Sequence, residues 1–418
     1  MADGKLRARR RRRRLSSART AGDRRRHAGS ASFRSQALLH ALHDVDCAST
    51  GGASVAAVAL VHDYLNQRGG AERVFAHIAA AWPEAPIYTS IFDRAQLGDL
   101  FDAARVRTSY LQHLPGHQRL FRALAPLYPR AFASFDLSAY DTVISSTTAW
   151  AKGVITRPDA VHVCYCHTVA RFVFDYDAYV GRLAGPYEPL ARPLVRRLAS
   201  WDRAAAQRPT AFVANSRNTA ERIRHWYGRD AYIVHAPIDL DRFDVGPGEG
   251  DYALIVSRLL PYKRIDLAIE ACRMAGMPLL VAGTGPAEAM LREAAKGTST
   301  TMLGYVEDDA LSVLLGNARV VLLPGMEDYG LVPLEAAAAG RPTVAYAAGG
   351  ALETIVPGVT GEFFGEQTAE SLAAVLRAFD PRSYDAAALR AHAERFSPQR
   401  FVERLQEIVQ EVREQHRS

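Results

Sequence analysis

From Val55 onward the chain alternates short apolar runs with amphipathic helical patterns, and that alternation restricts the fold more than any single residue does. The strand-like runs are VAAVALV (55–61), APIYTSIF (85–92), DTVISS (141–146), VHVCYC (161–166), TAFVANS (210–216) and AYIVHAP (231–237). Helical patterns such as AERVFAHIAAAW (71–82) and NTAERIRHWYG (218–228) lie between several of them. Strands separated by helices of this length predict parallel pairing through crossover helices, an α/β architecture. GPGEGD (246–251) breaks the pattern as a polar, glycine-rich linker. A second series follows: YALIVS (252–257), a helix at 265–275, MPLLVAG (277–283), VVLLP (320–324), RPTVAY (341–346) and a helix at 369–379. The halves share no sequence repeat, which implies two similar folds rather than a duplicated one. The last helix, about 398–415, is charged and amphipathic and suits a brace on either half.

At 418 residues the chain is long enough for two domains with separate cores. No apolar run reaches the roughly 18 residues of a membrane span. Four cysteines, Cys47, Cys164, Cys166 and Cys272, form no C-x-x-C pair and no zinc-like spacing, which fits a reduced, cytoplasmic setting. The net charge of +6 is unevenly placed: residues 1–35 hold 13 Lys/Arg against Asp3 and Asp23, or +11, so the remainder carries 6 − 11 = −5. Such a basic arm predicts disorder, with nucleic acid or an anionic membrane surface as its conceivable partner. It lacks the apolar stretch of a signal peptide, and no methionine occurs between Met1 and Met274. These features point to a start near Val55 and to residues 1–54 as partly or wholly a mis-called start.

Ligands of open α/β sheets bind where strand ends meet helix N-termini, and candidate chemistry gathers there. VHDYLNQRGGAERV ends a strand, turns through Gly69 and Gly70 and opens a helix; VAGTGPAEA does the same with Gly283, Gly285 and Pro286. Glycines admit a phosphate to the backbone, although most glycine pairs are simply turns, and neither stretch is a full dinucleotide or Walker sequence. In SRLLPYKRID, Arg258 closes a strand and Lys263 stands near the next helix, two cations suited to a diphosphate; a solvated basic loop is the competing reading. Glu327 falls in the loop after RVVLLP, and Glu335 in the expected first turn of the helix VPLEAAAAG. Tyr329, Gly330, Leu331 and Val332 offer no capping side chain, leaving Asp328 as the one candidate cap. The bland readings are a loop acid and a charge at the positive helix end. Two carboxylates flanking free amides also match a nucleotide sugar: hydroxyls, diphosphate and ribose diol.

Taken in order, RGGAERV, CYCHTVARF, ANSRNTAERI, SRLLPYKRID, GTGP and the E-x7-E of EDYGLVPLEAAAAGRPTVAY resemble the retaining glycosyltransferases of family 4. The resemblance runs from about Val55 to the C-terminus. It implies the GT-B fold, two Rossmann-like doubly wound domains facing across a cleft: an acceptor-side domain at 55–245, the linker at 246–251, a nucleotide-sugar-binding domain at 252–397 and a C-terminal helix at 398–418. Arg258 and Lys263 would hold the diphosphate. Glu327 would bind donor-sugar hydroxyls with the amides of Asp328, Tyr329 and Gly330. Glu335 would hold the ribose, Leu331 N–H a phosphate, and Val306 the base through its backbone. Gly69 and Gly70 would bring their loop against donor or acceptor, with Gly283 on the donor side. His167 would line the reaction centre, although a lone histidine at a strand end is more often structural. The family's His-Thr-Pro is here His167-Thr168-Val169, a departure on the acceptor side.

The implied reaction is transfer of a hexose with retained configuration and no cofactor or required metal. DYD (175–177) and DLD (239–241) read as surface acids rather than metal ligands. CYCHTVARFVFDYDAY, SYLQHLPG and EDYG resemble bacterial mannosyltransferases of polysaccharide assembly, which implies GDP-mannose as donor and a glycan or polyprenyl-linked acceptor; a UDP-sugar is the alternative. Residues 109–132 mix Arg119, Arg122 and Arg130 with Tyr110, Phe121, Tyr128 and Phe132. They read either as a helix packed on its domain with basic residues facing water or as a peripheral contact with the inner face of the plasma membrane. A nucleic-acid-binding protein using the arm is the remote alternative; no nucleic-acid partner is expected.

Overall fold

The computed structural model describes residues 57–180, 188–248 and 250–417, so the basic arm expected at 1–54 lies outside the described residues. The first lobe is built on β1 (Val58–His62), β2 (Ile87–Thr89), β3 (Val106–Thr108), β4 (Thr142–Thr147), β5 (Val161–Cys166), β6 (Ala211–Ala214) and β7 (Ala231–Ile233). These form a parallel sheet in the order β3-β2-β1-β4-β5-β6-β7. The second lobe uses β8 (Ala253–Val256), β9 (Leu279–Ala282), β10 (Thr300–Gly304), β11 (Val320–Leu323), β12 (Thr343–Tyr346) and β13 (Gly361–Phe364), also parallel, in the order β10-β9-β8-β11-β12-β13. Both sheets reverse winding once, between β1 and β4 and between β8 and β11. Loops after those strands therefore open into the crevice where such folds bind ligands.

The principal helices are α1 (Gly70–Ala81), α2 (Glu188–Ala205), α3 (Arg217–Tyr227), α4 (Ile265–Ala275), α5 (Asp308–Asn317), α6 (Leu331–Ala338), α7 (Ala369–Ala378) and α8 (Pro398–Arg417). Local chemistry explains their limits. Ser216 Oγ accepts the Thr219 amide (2.9 Å) at the start of α3, and Gly228, in the left-handed region at φ 65°, ends it. Strand β5 is buried along its whole length, and its VHVCYC reads as a near-continuous apolar run because helices cover both faces of a parallel sheet. The one polar member, His162, binds Ser145 Oγ (2.8 Å).

Helix α8 packs on the first lobe, not the second. Phe401, Leu405, Ile408, Val409 and Val412 are buried; Phe401 meets the ring of Tyr165 in β5 edge-on at 5.4 Å; and Gln406 reaches the carbonyl of Ala81 at the end of α1. Residues 109–132 are not one helix. They fold as a turn at Tyr110–His113, one helical turn at His117–Leu120, a turn at Ala125–Leu127 and a short helix opening at Tyr128, because Pro115-Gly116 and Pro126 interrupt any longer run. Tyr128 and Phe132 are buried while Arg119, Arg122 and Arg130 are exposed.

Candidate active site

At the reversal point of the second sheet, β8 delivers Arg258 and β11 delivers Glu327. Lys263, closing the short turn Pro261–Lys263, forms an ion pair with Glu327; the two side chains keep only 15 % and 16 % of their exposure. Burial works against the Lys263 ammonium, yet Glu327 and Tyr262 hold its pKa above the ordinary lysine value. Arg258 is exposed, and among the described residues no carboxylate pairs with it. Lys263 is turned to Glu327, while the charge of Arg258 is felt by Tyr64, Glu72 and Arg122 of the first lobe. Gly283, at φ 139°, packs on the Ser257 carbonyl, so its lack of a side chain already has a packing reason.

Helix α6 begins at Leu331, preceded by Gly330 at φ 92°, and no side chain caps it. That leaves its first amides open to an anion. Asp328 does not cap it; its carboxylate points to the first lobe, accepting Thr168 Oγ1 (2.6 Å) and Arg171 Nε (2.6 Å). Glu335 is the fifth helical residue rather than a member of the first turn, so the helix-end charge explanation for it fails. It lies 3.6 Å from Arg242, and burial raises its carboxyl pKa against the pull of Arg242 and Arg73. Tyr329 is buried, with its hydroxyl on the Ala236 carbonyl (3.0 Å).

Val306 follows β10 and precedes α5, whose first residue Asp308 accepts Arg73 Nη2 on both carboxylate oxygens (2.8 Å each) and one bond from Arg242 (3.0 Å). The first lobe thus reaches the expected base-binding stretch through α1. It also meets α6: a Cβ placed on Gly70 would stand 2.6 Å from Leu331 Cδ1, so Gly70 permits a close approach across the lobes, whereas Gly69 makes room for Glu72 of its own lobe.

On the first lobe, Asp63 follows β1 and is fully enclosed. It accepts the amides of Thr148 (2.6 Å), Ala149 (2.9 Å), Trp150 (2.9 Å) and Ala151 (2.6 Å), with the hydroxyls of Thr147 (3.0 Å) and Thr148 (2.8 Å). Burial opposes its charge, but His62 and these donors keep its pKa below the usual carboxylate range. The carboxylate therefore shapes the loop after β4. Ser146 Oγ joins His62 Nδ1 (3.1 Å) to His167 Nε2 (2.8 Å). Burial lowers His62 to about 4 and His167 to about 3, so both rings are neutral near pH 7. Glu72 in α1 is buried, held by Gln67 (3.2 Å), and burial raises it to about 7. Asp175 binds Arg222 (2.6 Å) and Asp239 binds His77 (2.9 Å), so the leading acid of each D-x-D is tied to a basic side chain.

Asp63, Arg73, Arg171 and Arg242 were not singled out from the sequence. VHDY, AERV, VARF and DLDR contain them, but nothing local marks their partners.

Comparison with known proteins gives this geometry its relatives. The sequence model of Glycosyltransferase Family 4 matches residues 68–242, and that of Glycosyl transferases group 1 matches residues 238–387. A glycogen synthase of Pseudomonas aeruginosa is 36 % identical over 166 residues, which cover 38 % of this chain and 32 % of that one. A GDP-mannose-dependent alpha-(1-6)-phosphatidylinositol monomannoside mannosyltransferase of Mycobacterium tuberculosis is 31 % identical over 204 residues, 41 % of this chain and 51 % of that one. The chain thus matches only about a third to a half of these relatives' lengths. Anabaena HepE, crystallised with UDP, superposes with a TM-score of 0.62 at 18 % identity, covering 85 % of this chain and 99 % of that one, and so shares the two-lobed GT-B fold. Two family models that overlap only at 238–242, each falling on one of the two parallel sheets, together with the ordered motifs from RGGAERV to E-x7-E, place the chain in glycosyltransferase family 4.

Proposed function

We propose that the protein is a retaining hexosyltransferase that moves mannose from GDP-mannose onto a glycan or polyprenyl-linked acceptor, with 55–245 serving the acceptor and 252–397 the donor. The observation that carries this reading is the grouping at one sheet reversal of Lys263, Glu327 and an uncapped helix start, with Glu335 one turn further on. Arg258 and Lys263 take the diphosphate as its charge grows. The amide of Leu331 takes a phosphate oxygen, Glu327 the sugar hydroxyls with the amides of Asp328, Tyr329 and Gly330, and Glu335 the ribose. The bond from the anomeric carbon to the diphosphate breaks, and the acceptor oxygen bonds to that carbon from the same face. The departing diphosphate receives the acceptor's proton. His167, neutral and tied to Ser146, lines the centre as a hydrogen-bonding wall, not as an acid. The mannosyltransferase relatives and the CYCHTVARF and EDYG stretches support mannose. UDP-sugar chemistry is the second reading, and it uses the same residues.

No helix of the described residues is long and apolar enough to cross a membrane; the reading places the enzyme in the cytoplasm, meeting a lipid-linked acceptor peripherally. The test is calorimetry with GDP-mannose, UDP-glucose, GDP and UDP, followed by the anomeric configuration of the product by NMR. Affinity confined to guanine nucleotides with a retained anomer supports the reading. Tighter binding of UDP-glucose transfers it to a UDP donor, and binding of none refutes it. Glu335→Gln should raise KM for the donor more than it lowers kcat.

A further inference from the structure

The side chain of Arg171 enters the second lobe between the two segments that carry Glu327 and Lys263. Its Nε donates to Asp328 Oδ2 (2.6 Å), its Nη2 to the Met326 carbonyl (3.4 Å), and its guanidinium lies over the Tyr262 ring, 4.8 Å from the centroid. One residue of the first lobe thus touches the neighbours of Glu327 on both sides, Met326 and Asp328, and the residue before Lys263. Tyr179, also from the first lobe, stacks on Tyr262 at 5.9 Å.

Asp328 gathers further first-lobe groups. Thr168 Oγ1 donates to its carboxylate, Asn218 Nδ2 stands 3.4 Å from Oδ1, and Arg222 Nε lies 3.3 Å away as an ion-pair neighbour without a hydrogen bond. Ser216 Oγ donates to the Asp328 carbonyl (2.6 Å). With Thr168 and Arg171 on Oδ2 and Asn218 on Oδ1, most of this carboxylate's acceptor capacity is committed to first-lobe donors. Burial opposes its ionisation, but Arg171, Arg222 and Thr168 override burial, so the clasp is charged at neutral pH. A second tie lies beside it, where Glu353 accepts the amides of Arg217 (2.9 Å) and Asn218 (3.2 Å) at the start of α3.

We infer that Arg171 and Asp328 are positioning residues that couple closure of the two lobes to the placement of Glu327 and Lys263. Separation of the lobes removes Arg171 from Met326, Asp328 and Tyr262 together, and both segments lose their register at once. The donor-side residues then hold their working geometry only when the acceptor-side lobe is docked, which confines bond breaking to a closed, water-excluding state. A plain glue between lobes would need none of these contacts to flank Glu327.

This inference rests on the glycosyltransferase reading for its kinetic part. The test compares Arg171→Ala, Arg171→Lys and the milder Thr168→Val with the full-length wild type. Steady-state transfer, calorimetry with GDP and UDP, thermal melting and the radius of gyration by small-angle scattering are measured on each. In Arg171→Ala, kcat should fall by about a hundredfold, the scale of an ångström's misplacement, while nucleoside diphosphate affinity, which Lys263 shares with Arg258 and the α6 amides, falls by no more than about tenfold. The radius of gyration without nucleotide should rise, and Arg171→Lys should recover part of kcat by restoring the charge. Thr168→Val should show the same split at smaller size. Unchanged kcat, or kcat and nucleotide affinity lost in equal proportion, overturns the coupling. If the wild type transfers no sugar from either donor, the enzymatic reading falls by itself. Scattering then decides the clasp: an unchanged radius in Arg171→Ala overturns it.

Discussion

Removing the charge of Glu327 should have opposite effects on the empty protein and on its nucleotide complex. In the free protein Glu327 is the partner of Lys263, with both side chains about one-sixth exposed. At an effective dielectric near 20, unit charges in contact attract by on the order of 4 kcal/mol. Desolvation offsets part of this, and the net falls between the ~0–1 kcal/mol of exposed pairs and the ~3–5 kcal/mol of breaking a buried one, or about 2 kcal/mol. Glu327→Gln should therefore lower the melting temperature by a few degrees. A nucleoside diphosphate must draw Lys263 away from Glu327 in the wild type but not in the variant. The same ~2 kcal/mol then reappears as binding, about thirtyfold tighter. Scanning calorimetry and titration with GDP and UDP read both quantities, while kcat should fall because the sugar loses its carboxylate. Weaker binding of both diphosphates to Glu327→Gln would show that the two residues do not compete in this way and would refute the argument.

Two further outcomes follow from buried charges. Burial lifts Glu72 from 4.5 to about 7, so the folded protein keeps a proton that the unfolded chain has lost, and stability should fall as pH rises across that window, by about 3 kcal/mol in all; Glu72→Gln should flatten urea midpoints over that range, and a flat wild-type profile would contradict the shift. The enclosed pair Lys152–Asp202 (2.5 Å), with Tyr227 Oη on the same carboxylate (2.6 Å), lies within the first lobe; Asp202→Asn should cost about 3–5 kcal/mol by leaving the ammonium unpaired, while nucleotide affinity measured on the folded fraction holds.

The strands absent from the sequence reading are β3, β10 and β13, and all three lie at sheet edges. VRT, TTMLG and GEFF carry threonine, arginine or glutamate because an edge strand is covered less completely, so the apolar run that marks a central strand never forms. β5, enclosed on both faces, was legible to the residue. The site divides similarly. Arg258, Lys263, Glu327 and Glu335 fall within one strand-loop-helix stretch each, where spacing is informative. Asp63 finds Thr148 85 positions away, Arg171 finds Asp328 after 157, and Arg73 finds Asp308 after 235. Such partners are set by how the sheets face each other, and a single sequence has no local signal for that. Glu335 was misplaced by one residue for a simpler reason: Pro333 suits any of the first helical positions, so it did not fix where the helix begins.

Because α8 returns to the first sheet, the chain passes between the lobes twice, once on each side of the second sheet's residues. The two passages touch: the amide of Ile238 donates to the carbonyl of Phe396 at 3.0 Å, and the rings of His235 and Phe396 meet edge-on. One passage would be a tether, free to twist and slide. Two passages tied by that hydrogen bond and ring contact act as a pin that resists shear more than one passage would. A protease cut within 246–251 would leave the halves joined through the second passage. Shortening the chain before Pro398 would do more damage than its position suggests, stripping the pin of its anchor and uncovering the inner face of β5 together.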